Sequence, residues 1–446
     1  MSRPEITTDQ TYDVVGLGFG PSNMALATAI HEHNRVAGRG LRLKALFLDR
    51  ASEPGWHKNL LFEDASMQVA FAKDLSSFRN PTSELTFMNF LHTQGRMEDF
   101  FNRGSMAPLR IEFVAYLRWA AERLSEYVRY SSEVVRVVPR TSGGRITGYE
   151  VDVADESGVR TVAARHVVLA GGLQPVFPAG VRSGARVWHS AEFLERVAVL
   201  DTAAVRCVAV IGGGQSAAEV IEQMYHRCPQ AQIHSVISRF GLIPSDASAY
   251  ANRIFDPMAV DELYAADPQV RQELTEAHRN TNNSVVNPNT IAALYDLEYR
   301  DKWLGAERLN WHRAARVNSV REDYGTPAVQ LGLAEGLGDG SGTLEADVAI
   351  FATGYRALDP TTLLGSHAGM LVRDELGRPT TRRDYSAHTV LPDDSKLFLV
   401  GQTEHQHGIS ATLLSNVAVR AGEILESILA ADPAATQPTA HRKAHA

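Results

Sequence analysis

Cysteine is nearly absent from this chain: only Cys207 and Cys228 occur among 446 residues. Two cysteines cannot build a disulfide framework, so a reducing compartment, the cytoplasm, is expected. No Cys-x-x-Cys pair occurs, which argues against a dithiol–disulfide reductase. Long charge-free apolar runs are missing too, and the first thirteen residues lack the apolar stretch of a signal peptide. Neither a membrane span nor a membrane partner is therefore expected. There is no excess of positive charge. A formal net charge of −8 argues against nucleic acid or an anionic lipid surface as the partner. With 44% hydrophobic and 22% charged residues, the chain is neither disordered nor fibrous, and its length allows two or three domains.

What is present is one plan used twice. The strand-like run Tyr12-Asp13-Val14-Val15 leads into Gly16-Leu17-Gly18-Phe19-Gly20-Pro21-Ser22-Asn23 and an alanine-rich helical stretch, and a second strand at 43–48 ends in Asp49. A glycine turn between strand and helix aims free N–H groups and the positive helix end at a pyrophosphate. Asp49 is placed to accept from ribose hydroxyls. The second copy runs from strand 207–211 into Gly212-Gly213-Gly214-Gln215-Ser216-Ala217, and its next strand ends in Ser238-Arg239 with no acid. A carboxylate there would repel a 2′-phosphate, whereas serine and arginine would bind one, so this copy favours NADP(H). A solvated surface arginine is the plainer alternative for Arg239. Two nucleotide sites of unlike chemistry predict a flavoprotein, with FAD in the first and NADPH delivering hydride in the second.

Further apolar strands at 166–172, 347–355 and 396–401 run to glycines at or next to their ends (Gly172, Gly354 and Gly401), where a chain can pass close to a cofactor. Residues 240–299 lack strand patterning and are rich in Asn, Asp and Ser. The predicted class is α/β, with two Rossmann-like dinucleotide-binding domains and a small, mostly helical substrate lobe. The expected division is 1–178 with 344–429 for FAD, 179–239 with 300–343 for NADPH, 240–299 for the lobe, and a disordered tail at 430–446. Between the two turns, Trp56-His57, Met67-Gln68 and Lys73 fall in a long polar and aromatic segment that could wall a cofactor. Lys73 could meet a substrate carboxylate, or pair with Asp74 or another acid. His405 and His407 have no third ligand cluster nearby, and no metal is expected.

Several motifs together resemble the N-hydroxylating flavin monooxygenases, the microbial ornithine and lysine N-hydroxylases. They are the first glycine turn, Gly55-Trp56-His57, Phe71-Ala72-Lys73-Asp74-Leu75, Arg79-Asn80-Pro81-Thr82, Asn280-Thr281-Asn282-Asn283-Ser284-Val285, Gly212 to Ala217, Phe351-Ala352-Thr353-Gly354-Tyr355 and His407-Gly408-Ile409-Ser410. The likeness runs in the family's order from about residue 13 to 429. It implies FAD, NADPH with NADP⁺ retained during turnover, and O₂. It also implies N-hydroxylation of the terminal amine of L-lysine or L-ornithine through a C4a-hydroperoxyflavin, for siderophore or related biosynthesis, by a homo-oligomer (tetramer or dimer).

By position, the resemblance gives Lys73 the amino acid carboxylate, Asn252 the α-substituents, and Asn282 a place at the substrate pocket. Gln68 falls between flavin and substrate, so Lys73, Asn282 and Gln68 form the expected catalytic group. Ile409 and Ser410 belong to a turn closing the pocket against the flavin. Gly16, Gly18, Gly20, Pro21, Ser22, Asp49, Trp56, His57, Gln68 and Ile409 are expected at FAD, and Gly212, Gly214, Gln215, Ser216 and Arg239 at NADPH. Two positions depart from the family: Ala72 where leucine is usual, and Asn283 where an aromatic residue is usual. The first predicts a receded pocket wall and a lean towards L-lysine. A diamine or aspartate N-hydroxylase, an oxygenase of carbon or sulfur, and a non-catalytic NADPH-sensing flavoprotein are the alternatives.

Overall fold

Two separate sheets carry the two glycine turns. The computed structural model describes residues 10–282, 284–322, 328–337 and 341–431, so Asn283 and the tail from 432 lie outside the described residues. The first sheet is ordered 128–129, 45–48, 11–17, 158–169, 145–155, 133–142, with 397–399 also pairing to 158–169. Strand Thr11–Leu17 lies parallel to Ala45–Leu48 and Gly158–Leu169, in register Val14↔Ala45 and Val14↔His166. All-buried runs such as Ala45–Leu48 suit parallel strands covered on both faces. Helix Pro21–Val36 covers one face and packs on the last helix, Val417–Ala430, so this core draws on both chain ends.

The second sheet is fully parallel, ordered 309–312, 232–236, 207–211, 348–351, 187–189. A three-stranded antiparallel sheet, 315–322, 329–335 and 341–346, packs beside it. Two of the expected boundaries are corrected. Strand Val348–Phe351 was assigned to the FAD segment beginning at 344, but it pairs with Cys207–Ile211 and Val187–His189 in the second sheet. The Asp347 carboxylate fixes that choice by accepting from the Arg206 and Cys207 N–H groups at 2.7 and 2.9 Å. The chain leaves this domain only at Tyr355–Ala357, which pairs with Leu173–Pro175.

The second correction concerns the lobe. Its expected end at 299 cuts through helix Pro288–Leu304, whose buried Leu294 and Leu297 belong to the second domain's core with Val220 and Ile221. Asn287 caps that helix, accepting from the Asn289 N–H. The remainder of the lobe is short helices, Ala251–Phe255, Pro257–Ala265 and Pro268–Ala277. It docks on the C-terminal turn around Gly408, where a Cβ would lie 2.3 Å from Leu263 Cδ1. Arg271 reinforces the contact by donating to the His405 carbonyl at 3.0 Å.

Candidate active site

A cleft of about 3050 Å³ runs between both glycine turns and the lobe. At its first end the chain needs a residue without a side chain: Gly18 has φ +79° and a Cβ there would sit 2.6 Å from the Ala170 carbonyl oxygen. Gly20 opposes open space. Pro21 starts the helix, no side chain caps it, and Gly20, Pro21 and Ser22 all face the cleft. Uncapped N–H groups at a helix start want an anion. Asp49 also lines the cleft, and it braces the turn by accepting from the Phe19 N–H at 2.7 Å. Gly16 does not line the cleft; a Cβ there would run into the Phe47 ring, so its part is packing. Asn23, buried, donates to the Leu17 and Gly18 carbonyls and holds the turn from beneath.

The second turn repeats the chemistry. Gly212 has φ +144° and would press a Cβ 2.4 Å from the Ala352 carbonyl oxygen, and helix Gln215–Arg227 also starts without a side-chain cap. Gly212, Gly214, Gln215, Ser216 and Ser238 line the cleft. Arg239 stands just outside, exposed, donating to the Ser284 carbonyl at 2.9 Å. Gln215 is pinned on three sides: it donates to Glu219 and Thr290 and accepts from the Asn287 N–H.

Between the turns lie Trp56, His57, Gln68 and Lys73. Trp56 stands edge-on to His57 at 4.2 Å, and His57 takes the left-handed backbone at φ 52°. Lys73 is half-buried, with its ammonium 5.5 Å from the Phe255 ring centre. Burial pushes it below the ordinary lysine value, partly opposed by Asp256. The pairing of Lys73 with Asp74 does not occur. Asp74 is buried and saturated by the N–H groups of Ser76, Ser77 and Phe87 and the Ser77 hydroxyl. Asn252 and Asn282 reach the same cleft from the lobe. Ile409 and Ser410 are buried behind the wall instead of lining it, and the Ser410 hydroxyl has no partner among the described residues. Ala72 itself does not line the cleft, although Ala70 and Lys73 on either side of it do.

Four further residues belong to this site. Arg110 and Glu219, both buried, form a bidentate pair at 2.7 and 3.0 Å that floors the cleft between the turns. Gln402 faces the cleft with a buried amide oxygen that has no partner among the described residues. Glu404 lines the lobe side, its carboxyl raised by burial and partly restrained by Arg279 and Thr412. An acid embedded among Ala217, Ala218, Val220 and Ile221 of helix Gln215–Arg227 was the one sequence signal available for Glu219.

A cleft joining two uncapped glycine turns, one backed by an aspartate and the other by Ser238 and Arg239, defines a two-nucleotide flavoprotein. The sequence profile described as L-lysine 6-monooxygenase/L-ornithine 5-monooxygenase matches residues 10–357. The L-ornithine N(5)-monooxygenase of Pseudomonas aeruginosa is 35% identical over 431 residues, covering 94% of each chain. The structure of the Kutzneria sp. 744 ornithine N-hydroxylase, with reduced FAD, NADP⁺ and L-ornithine, aligns with a TM-score of 0.90 and 40% identity over 94% of this chain and 99% of that one. L-lysine 6-monooxygenase from Pseudomonas syringae aligns with a TM-score of 0.83 at 28% identity, over 94% of this chain and 99% of that one. The chain belongs to this family of flavin-dependent N-monooxygenases, and its cofactors are FAD and NADPH. Among the described residues, no helix is long and apolar enough to cross a membrane.

We propose that Arg239 leaves the Ser284 carbonyl to hold the 2′-phosphate of NADPH. Arg239→Ala is expected to weaken NADPH by about thirtyfold, the worth of one charge-assisted phosphate contact, while NADH binding barely changes. Binding titrations with both nucleotides check this, and equal losses would remove Arg239 from the role.

Proposed function

We propose that this enzyme N-hydroxylates the terminal amine of L-ornithine. The observation that carries this reading is Lys73: a half-buried ammonium facing the cleft, with no ion pair within 4 Å among the described residues. Such a cation suits the carboxylate of an amino acid better than a simple diamine. Asn252, whose amide donates to the Ala247 carbonyl at 3.1 Å, and Asn282 supply uncharged polar groups on the lobe side for the α-amino end. The relatives that are 35% and 40% identical carry ornithine in their names, and the lysine enzyme is more distant.

Reduced by NADPH, bound FAD supplies the activated oxygen. The protein's own part is to hold the amine still, exclude water, and receive it in its neutral form. A lysine-type ammonium has an ordinary pKa of about 10.4, so at pH 7 about one molecule in a few thousand is neutral. The drier end of the cleft must shift that balance, since desolvation disfavours the charged form. A hydroxylated amino acid of this kind fits siderophore biosynthesis as the use of the product.

The test is hydroxylamine formed per NADPH consumed with L-ornithine, L-lysine, putrescine, cadaverine and L-aspartate. L-ornithine is expected to give the best-coupled turnover. Hydroxylation of a diamine alone would overturn the role of Lys73, and NADPH oxidation without hydroxylamine from any of them would overturn the reaction.

A further inference from the structure

Arg420, on the last helix, is buried to 3% exposure, yet it makes no ion pair within 4 Å among the described residues. Its guanidinium donates to the Ala411 carbonyl at 2.8 Å, to the Ser410 carbonyl at 3.5 Å, and to the Ser22 hydroxyl at 3.3 Å. The Tyr385 ring centre lies 5.9 Å away. The acid one turn further along its helix, Glu423, contributes only at a distance, because its two oxygens accept from Arg383 at 2.8 and 3.0 Å. A buried cation that meets only dipoles is unfavourable unless an anion completes it.

Ser22 shows where that anion would enter. It is the second residue of the uncapped helix Pro21–Val36, and it lines the cleft beside Gly18 and Gly20. The diphosphate of FAD suits that helix start, and its charge would be relayed to Arg420 by the serine hydroxyl. Nearby, the Ser410 hydroxyl and both polar atoms of the Asn416 amide are buried without partners among the described residues, so this corner is under-satisfied by them.

We propose that Arg420 is a positioning residue for FAD: acting through Ser22, it provides the buried counter-charge for the diphosphate. The same guanidinium holds the carbonyls of the turn at 409–412, so the flavin nucleotide and this turn share one anchor.

The experiment compares FAD dissociation constants of the holoenzyme and its variants at several salt concentrations, by flavin fluorescence. Arg420→Gln is expected to raise the constant about tenfold and to flatten its dependence on ionic strength, because a charge term has been removed. Arg420→Lys, which keeps the charge, is expected to preserve the salt dependence. Ser22→Ala is expected to raise the constant about threefold in the wild-type background, and to add nothing further when combined with Arg420→Gln. A purely structural arginine would lower the unfolding temperature while leaving both FAD affinity and its salt dependence unchanged, and that result would overturn the proposal. So would multiplicative losses in the double variant. Should Arg420→Gln fail to fold, an unchanged FAD constant in Ser22→Ala decides against the relay.

Discussion

Replacing Lys73 with methionine is expected to raise the KM for L-ornithine by about a hundredfold while leaving the rate of flavin reduction by NADPH unchanged. Methionine keeps the length and apolar packing of the side chain against Phe255 and deletes the charge. A charge-assisted bond to a carboxylate in a partly desolvated site is worth up to about 3 kcal/mol, which sets the factor. No neighbour can take over, since Asp74 is consumed by its own turn and Asp256 bears the same sign as the substrate carboxylate. Lys73→Arg is not a safe control, because the guanidinium is larger and planar. Steady-state kinetics with L-ornithine, set beside anaerobic stopped-flow reduction, separate the two effects. An unchanged KM would mean that the carboxylate is held elsewhere.

The second large effect is expected at the floor of the cleft. Arg110 begins helix Arg110–Arg123 on the side of the first turn, and Glu219 lies in the helix that follows the second turn. Their pair is buried, and Glu219 also holds Gln215 at 2.9 Å. Removing one partner strands a buried charge, at a cost of about 3–5 kcal/mol. Glu219→Gln and Arg110→Met are each expected to lower the unfolding temperature by about 10 °C. The double variant Arg110→Met with Glu219→Met is expected to recover much of that loss, because an apolar pair of similar volume leaves no orphan charge. It should not recover reduction by NADPH, since Gln215 loses its brace and the second turn its register on the first. Reduction by dithionite, which needs no docked nucleotide, should proceed as in the wild type. Equal recovery of both properties would make the pair a stabilising contact and nothing more.

The two glycine turns are legible without a structure because their chemistry is local. A strand, a turn lacking Cβ atoms and an uncapped helix start are consecutive in the chain, so Gly18, Gly20, Gly212 and Gly214 announce themselves by spacing. The absence of an acid after the second turn is equally local. Lys73 was visible as a residue, but its choice between a substrate and Asp74 was not. That depended on whether the segment around Asp74 folds back to saturate the carboxylate, which it does through Phe87, thirteen residues on.

The α/β class, the two nucleotide folds and the cofactors they bind can be read from the chain, since patterning and turn chemistry are written in runs of neighbouring residues. Tertiary structure alone decided which sheet strand Val348–Phe351 joins, because an all-buried apolar run fits either sheet and only Asp347, bonded to the N–H groups of Arg206 and Cys207, selects one. It decided that Ser410 stands behind the wall. It also brought Arg110 to Glu219 and Arg420 to Ser22, partners 109 and 398 residues apart. Periodicity reports that a side chain is buried; it carries no information about which distant charge or hydroxyl meets it there, because that is set by how the helices and sheets pack.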